Sequence, residues 1–341
     1  MDKTDKSSGR ILIIRNSALG DVAMTIPVIY SFARAYPKKE IYVLTRPLFA
    51  KLFVNAPENV HLIKADYKKD YEGMAGNARL LKELKRYGFS EVADFHDVMR
   101  SWMIDTYFAL RGKRVSKLDK DRDGRINLLK DRNIQVSYID RYVKVLNRLG
   151  YTFDLTFDSV FGAEKPESPV DIKHPALGIA PFARYKTKEY PLELLNVMID
   201  ELEKKGVDIY LFGGKENVAE IDKIVVQHTR CVSMAGKYQI EDELKIMANM
   251  DLMLTMDSAN QHMAALAGVK CLSLWGSTVP YGGFLGYNQN PADAFWADLD
   301  CQPCSISGKA ECPLHKDTEC MRRLNRSLIV DTILDILKIK K

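Results

Sequence analysis

The stretch DLMLTMDSANQHMAALAG (Asp251–Gly268) decides the fold. It begins with a short apolar run, Asp251–Thr255, and passes through Asp257-Ser258 into an alanine-rich stretch, Ser258–Gly268. An apolar run of this length without alternation fits a strand buried on both faces, and the segment after it fits a covering helix. The free N–H groups of a helix start, together with the Ser258 hydroxyl, form a natural seat for a diphosphate. Asp257 reads either as a helix cap or as an anchor for the loop. His262 lies one helical turn on, where a lone histidine is commonly structural.

The same alternation runs outward in both directions. In the second half, Leu177–Ala180, Val207–Phe212, Cys231–Met234 and Lys270–Trp275 read as further strands. Helices are expected around Leu192–Lys205, Val218–His228 and Glu241–Asn249, with a last amphipathic one at about Leu324–Lys338. In the first half the strands are Ile11–Arg15, Ile41–Thr45, Val60–Lys64 and Glu91–Phe95. Helices Val22–Tyr36 and Asn77–Tyr87 fall between them. The pattern breaks only at Gly162–Pro175, which carries Pro166, Pro169 and Pro175 with mixed charge and reads as a linker. Residues 1–165 and 176–320 thus form two doubly wound α/β domains, with 321–341 a terminal helix expected to pack back toward the N-terminal domain. Ligands of such pairs are expected in a cleft, near the carboxyl ends of the strands.

A chain of 341 residues is long enough for two cores. Its charged fraction of 28 % and hydrophobic fraction of 46 % are those of a soluble globular protein. The net charge of +5 suits an anionic partner without choosing one. No apolar run approaches the roughly 18 residues that span a bilayer. Met1–Arg10 is polar and unlike a secretory signal, so a cytoplasmic protein with at most peripheral membrane contact is expected.

Three further motifs accompany Asp257-Ser258. Arg15-Asn16-Ser17-Ala18-Leu19-Gly20-Asp21 follows the first strand and opens a helix. Asp21 there is placed either to cap the helix or to face a ligand. The stretch is neither a G-x-G-x-x-G fingerprint nor a P-loop. Phe212-Gly213-Gly214-Lys215-Glu216 ends a strand. Its glycines permit close approach of a ligand, and Glu216 is placed to accept protons from ribose hydroxyls, or simply begins a helix. The loop from Ala180 to Pro191 carries Arg184, Lys186 and Lys188, cations that suit a leaving diphosphate or merely a solvated loop.

In their order and placement these elements resemble glycosyltransferase family 9, the ADP-heptose:lipopolysaccharide heptosyltransferases, over nearly the whole chain. The resemblance rests on S-x-x-G-D (Ser17, Gly20, Asp21) with Pro27, Arg100-Ser101, and K-x-[WY]-P (Lys188, Tyr190, Pro191). It continues through G-G-x-E (Gly213, Gly214, Glu216), Ala235-Gly236-Lys237, the block Asp257–Ala265 and Trp275-Gly276-Ser277-Thr278 with Pro280. The tail Cys301-x-Pro303-Cys304, Cys312-Pro313 and Cys320-Met321 completes it. Ala259 stands where the family usually has glycine, and Tyr190 where it usually has tryptophan.

The resemblance implies a GT-B fold, two Rossmann-like domains facing each other across a cleft. It implies an inverting, metal-independent transfer of heptose from ADP-heptose to the inner core of lipopolysaccharide at the cytoplasmic face of the inner membrane. Asp21 would be the general base. Lys188 would bind the diphosphate, Glu216 the ribose, and Asp257 with Ser258 the phosphate loop. Gly213, Gly214 and His262 are counted with the donor, and Ser17, Gly20 and Arg100 with a lipid A-linked acceptor. No D-x-D metal motif lies in a cleft position; Asp119-x-Asp121-x-Asp123 sits in a charged loop. That loop belongs to a basic run from Arg111 to Arg132, which reads as a solvated face or as a surface for acidic sugars and anionic lipid through Arg111 and Arg114. Cys301, Cys304, Cys312 and Cys320, with His315 among them, offer ligands for a structural zinc or remain thiols. No cofactor is otherwise expected.

Rival readings are a family-9 enzyme with another nucleotide sugar or glycan acceptor, a non-catalytic nucleotide sensor, and a zinc-containing nucleic-acid binder. The last lacks repeated fingers and aromatics interleaved with its basic residues, so no nucleic-acid partner is expected.

Overall fold

A computed structural model describes residues 9–309, 311–312 and 318–340, which leaves Met1–Ser8 and His315 outside the described residues. The chain divides into two compact units. The first comprises the residues through Asp121 and Tyr138–Gly162; the second comprises Arg122–Ser137 and everything from Ala163 onward.

The first unit holds five parallel strands: β1 (Arg10–Ile14), β2 (Glu40–Thr45), β3 (Val60–Lys64), β4 (Glu91–Asp94) and β5 (Arg114–Lys117). Their order is β3-β2-β1-β4-β5, so the direction of winding reverses beside β1. Ile11 to Ile14 are fully buried, as a central strand covered on both faces requires. The expected helix Val22–Tyr36 is two helices, Leu19–Ala23 and Ile26–Ala35. Pro27 causes the break, because it lacks the N–H an interior position needs and its ring crowds the preceding turn. The helix expected at Asn77–Tyr87 runs Gly73–Leu84, then tightens into a 3-10 turn that Gly88 closes at φ 67°.

The second unit holds six strands: β6 (Ala176–Ala180), β7 (Asp208–Leu211), β8 (Cys231–Ser233), β9 (Leu252–Met256), β10 (Cys271–Trp275) and β11 (Ala294–Trp296). They lie in the order β11-β10-β9-β6-β7-β8, again all parallel. β5 and β11 were not among the expected strands.

Two boundaries differ from the sequence expectation. Arg122–Ser137 was assigned with residues 1–165 but is counted with the second unit. There its helix Arg122–Asp131 buries Leu128, Arg132 pairs with Asp298 at 3.1 Å, and the Gln135 N–H donates to the Tyr281 carbonyl at 2.9 Å. The terminal helix, expected to lean toward the N-terminal domain, instead packs on the helix Leu192–Lys204 of the second unit. Ile329, Val330, Ile333 and Leu334 join that unit's core, each contributing roughly 1.5–3 kcal/mol. Among the described residues no helix is long and apolar enough to cross a membrane.

Candidate active site

In the second unit the phosphate-binding candidates assemble where β6, β9 and β10 end. Lys188 closes a short 3-10 turn, Lys186–Lys188, and its Nζ lies 2.6 Å from Asp257 Oδ2. The same oxygen accepts from the Thr278 hydroxyl at 2.6 Å. Of the two readings of Asp257, the geometry gives the anchor: its carboxylate is tied to Lys188 and Thr278. The cap position of helix Ala259–Leu266 falls to Ser258, whose side chain makes no capping bond and whose buried hydroxyl has no partner. That hydroxyl and the helix's leading N–H groups therefore share one corner with the Lys188 ammonium. Lys188 is only 12 % exposed, so its charge acts with little solvent screening.

A knot of loops holds Lys188 in place. The Thr187 carbonyl accepts the Ser277 N–H at 3.0 Å, and the Thr187 hydroxyl donates to the Gly308 carbonyl at 2.7 Å. The Ser277 carbonyl accepts the N–H groups of Cys304 and Ser305, both at 3.1 Å. Gly276 is required here, since a Cβ would fall 2.4 Å from the Thr187 carbonyl oxygen. Lys186, in contrast, is exposed and pairs with Glu189 at 2.7 Å.

Glu216 is exposed on the turn Lys215–Asn217, directly after β7 and Gly213-Gly214. The Gly214 N–H donates to Asn217 Oδ1 at 3.1 Å, and a Cβ on Gly214 would strike the Glu216 carboxylate. His262 is buried within its helix, a placement that suits a core role. Tyr190 is likewise buried in the core, so its ring offers no face to a ligand.

In the first unit Asp21 lies in the helix Leu19–Ala23, beyond the carboxyl end of β1. Its Oδ2 accepts the Ala18 N–H at 2.9 Å and its Oδ1 pairs with Arg15 at 2.8 Å, while 27 % of the side chain stays exposed. Asp21 thus ties down the helix start and still presents an accessible edge. Burial works against the Arg15 charge, but Asp21, Tyr142 and Asp94 together raise its pKa. Ser17 Oγ lies 3.3 Å from His96 Nε2. Burial first, then Arg15 and Lys120, lower the His96 pKa to about 3, which makes its ring neutral. Arg100 sits in the first turn of helix Met99–Ala109, its guanidinium carbon 4.2 Å above the Tyr67 ring.

Two proposed acceptor residues are not part of this group. Arg114 opens β5 opposite Glu91, at the amino-terminal edge of the sheet and so at the other end from Asp21. It binds the buried Glu91 carboxylate and the Leu149 carbonyl. Arg111, in the turn before β5, stacks on Tyr107 at 3.7 Å. Both therefore lie at the edge of the first sheet opposite to Asp21. Sequence reasoning gave no place to His96, which the structure sets beside Ser17; it follows β4 by two residues, and that position was the available signal.

The four tail cysteines are free of disulfides. Among the described residues the one group of potential metal ligands within 4.8 Å of one another is Asp200, Glu203 and His228, not the thiols. Cys301, Cys304, Cys312 and Cys320 nonetheless stand near enough for their thiols to act on one another, and His315 lies outside the described residues. Burial, then the neighbouring thiols, push Cys304 up; Cys320 is pushed up to about 11 by burial and Cys304.

The chain is 25 % identical to lipopolysaccharide heptosyltransferase 3 of Escherichia coli over 279 residues, 76 % of this chain and 81 % of that protein. Its structure resembles a glycosyl transferase family 9 protein from Veillonella parvula, with TM-score 0.71, 19 % identity and 97 % of each chain covered. It also resembles E. coli heptosyltransferase WaaC with ADP, with TM-score 0.69, 16 % identity, and 96 % and 99 % covered. The fold is accordingly the GT-B fold of these glycosyltransferases. The family model "Glycosyltransferase family 9 (heptosyltransferase)" matches residues 77–315, well over half the sequence, and the chain belongs to that family.

Proposed function

We propose that this glycosyltransferase moves a heptose from ADP-heptose to a lipid A-linked inner-core acceptor, with inversion and without a catalytic metal. The observation that carries the proposal is the corner formed by Lys188, Asp257, Thr278 and the unpartnered Ser258 hydroxyl. An ammonium held in place beside a helix start stabilises the charge that develops as the diphosphate departs, and it needs no rearrangement to do so. Asp257 fixes the ammonium before the donor arrives. Glu216, exposed after the paired glycines, takes the ribose hydroxyls.

The step is a single displacement. The acceptor oxygen forms a bond to the anomeric carbon as the bond from that carbon to the β-phosphate oxygen breaks, and ADP leaves. The acceptor proton passes to Asp21. Asp21 keeps 27 % of its side chain exposed, and it is from that side that a hydroxyl approaches the carboxylate. Arg15 orients the carboxylate. Ser17, Gly20 and Arg100 belong to the acceptor side. We place the enzyme peripherally at the inner face of the cytoplasmic membrane, where such an acceptor is presented.

The full chain, given ADP-heptose and a lipid A-type acceptor, should yield product heavier by one heptose, and chelators should leave the rate intact. Asp21→Asn should lower turnover by roughly 10²–10⁴-fold while donor affinity survives. Lys188→Ala should weaken donor affinity and rate together. Transfer from UDP- or GDP-sugars instead would change the donor, and full turnover in Asp21→Asn would remove the base.

A further inference from the structure

Two carboxylates and an imidazole of the second unit meet at the end of its sheet away from Lys188. Asn196, Asp200 and Glu203 recur at helical spacing in Leu192–Lys204, so they share one face of that helix. His228 lies in the turn between the helix Val218–Val225 and β8, and its side chain is 2 % exposed. Its Nδ1 stands 2.9 Å from Glu203 Oε2 and 3.3 Å from Asp200 Oδ1, and the three ligating atoms all lie within 4.8 Å of one another. The helix end and the turn lead into β7 and β8, which puts the cluster at the amino ends of those strands. Lys188 and Asp257 follow β6 and β9, at the carboxyl ends.

The negative charge of this cluster has no cationic side chain to offset it. Among the described residues no lysine or arginine side chain pairs with Asp200 or Glu203, and the Arg230 guanidinium, two residues beyond His228, is turned to Asp208 at 2.8 Å. Both acids lie in the last two turns of their helix, where the negative end of the backbone dipole disfavours a carboxylate. The imidazole sharpens the conflict. Its Nε2 is 3.2 Å from Asn196 Oδ1, and an Nε2–H donated to that oxygen leaves Nδ1 with a lone pair aimed at the two acids. A shared proton offsets one of the two negative charges, whereas a divalent cation offsets both.

The surrounding contacts are those that orient metal ligands. An imidazole that ligates through one nitrogen donates from the other to an oxygen, the part Asn196 plays here. Glu203 Oε1 accepts the Arg230 N–H and, at 3.4 Å, the Thr229 hydroxyl, which turns Oε2 toward His228. Ligands about 2.1 Å from a tetrahedral centre lie roughly 3.4 Å apart, close to the spacings around Nδ1. Asp200 is 55 % exposed, which leaves a path of entry and room for water as a further ligand. The imidazole nitrogen favours a first-row transition ion over magnesium or calcium.

We infer that Asp200, Glu203 and His228 bind one divalent transition-metal ion such as zinc, in a structural site that staples the end of helix Leu192–Lys204 to the turn before β8. The site lies at the other end of the sheet from the donor corner and takes no part in transfer, so it stands or falls independently of the function proposed above.

The test titrates the full chain, its six histidines isotopically labelled, with Zn²⁺ alone and separately with Mg²⁺. The His228 imidazole resonances should shift and saturate with Zn²⁺ and stay in place with Mg²⁺. Asp200→Asn and Glu203→Gln keep the shape of each side chain and remove its charge, and each should weaken the zinc response at least tenfold. Asp200 is more than half exposed, so its variant preserves the fold. If zinc is taken up by the tail thiols and His228 does not move, the imidazole only shares a proton with the two acids and the inference is wrong. A zinc response that survives both variants, or an equal response to Mg²⁺, overturns it as well.

Discussion

Single residues set the chemistry through what surrounds them. Gly308 adopts φ 84°, and a Cβ there would come 2.4 Å from Lys188 Cε and 2.9 Å from its Cγ. Gly308→Ala should therefore push the ammonium off Asp257 and weaken donor affinity about tenfold, about 1.4 kcal/mol. Calorimetric titration with ADP would show it, and unchanged affinity would mean that Lys188 does not hold the diphosphate. Asp105 presents a different case. Fully buried in helix Met99–Ala109, it is raised well above the usual carboxylate range by burial and then by Asp94. The folded state thus keeps a proton that the unfolded chain releases at about pH 4, so stability falls as pH rises above that point. Asp105→Asn removes this loss. Its stability advantage in urea should widen between pH 5 and pH 8; a constant gap would show that Asp105 is not held as the acid. Sequence named Asp21 and Lys188 because their motifs are contiguous. It passed over His96 because its place beside Ser17 at the sheet edge appears only once the strands are ordered.

Elements were legible where burial imposed a pattern. The nine strands read from apolar runs all exist, with ends shifted by a residue or two. β5 escaped because Arg-Val-Ser-Lys at a sheet edge buries Ser116 alone, and β11 because three residues carry no period. The same edge gives Arg114 a partner that sequence does not show. Its guanidinium reads as a free cation in sequence, yet β5 registers it against Glu91, a buried acid also held by Lys39 at 2.7 Å and by the Tyr151 hydroxyl. Arg114→Gln should leave acceptor KM unchanged and lower Tm by roughly 2–5 °C, a modest loss because the side chain is half exposed. A raised acceptor KM with unchanged Tm would return Arg114 to the acceptor.

At the scale of the whole molecule, the halves seen in sequence are not the units of the structure. The proline-rich linker lies where expected, but Arg122–Ser137 leaves the first unit and is built into the second. No composition shift marks that excursion; its helix is as charged as the loop before it. Leu128 is its buried residue, lying against Gly282 in such a way that a Cβ there would sit 3.5 Å from Leu128 Cδ2. Leu128→Ala should cost roughly 2–4 kcal/mol. Hydrogen exchange should report the loss in β9 to β11 and leave β1 to β4 protected; the opposite pattern would assign the segment to the first unit. During synthesis this excursion must wait. The ribosome releases residues 122–137 well before the unit they join, so Leu128 needs shelter until that unit emerges. A hybrid enzyme joined at the proline-rich linker would inherit a mismatched patch, and exchange of donor-binding halves between relatives calls for three joins, not one.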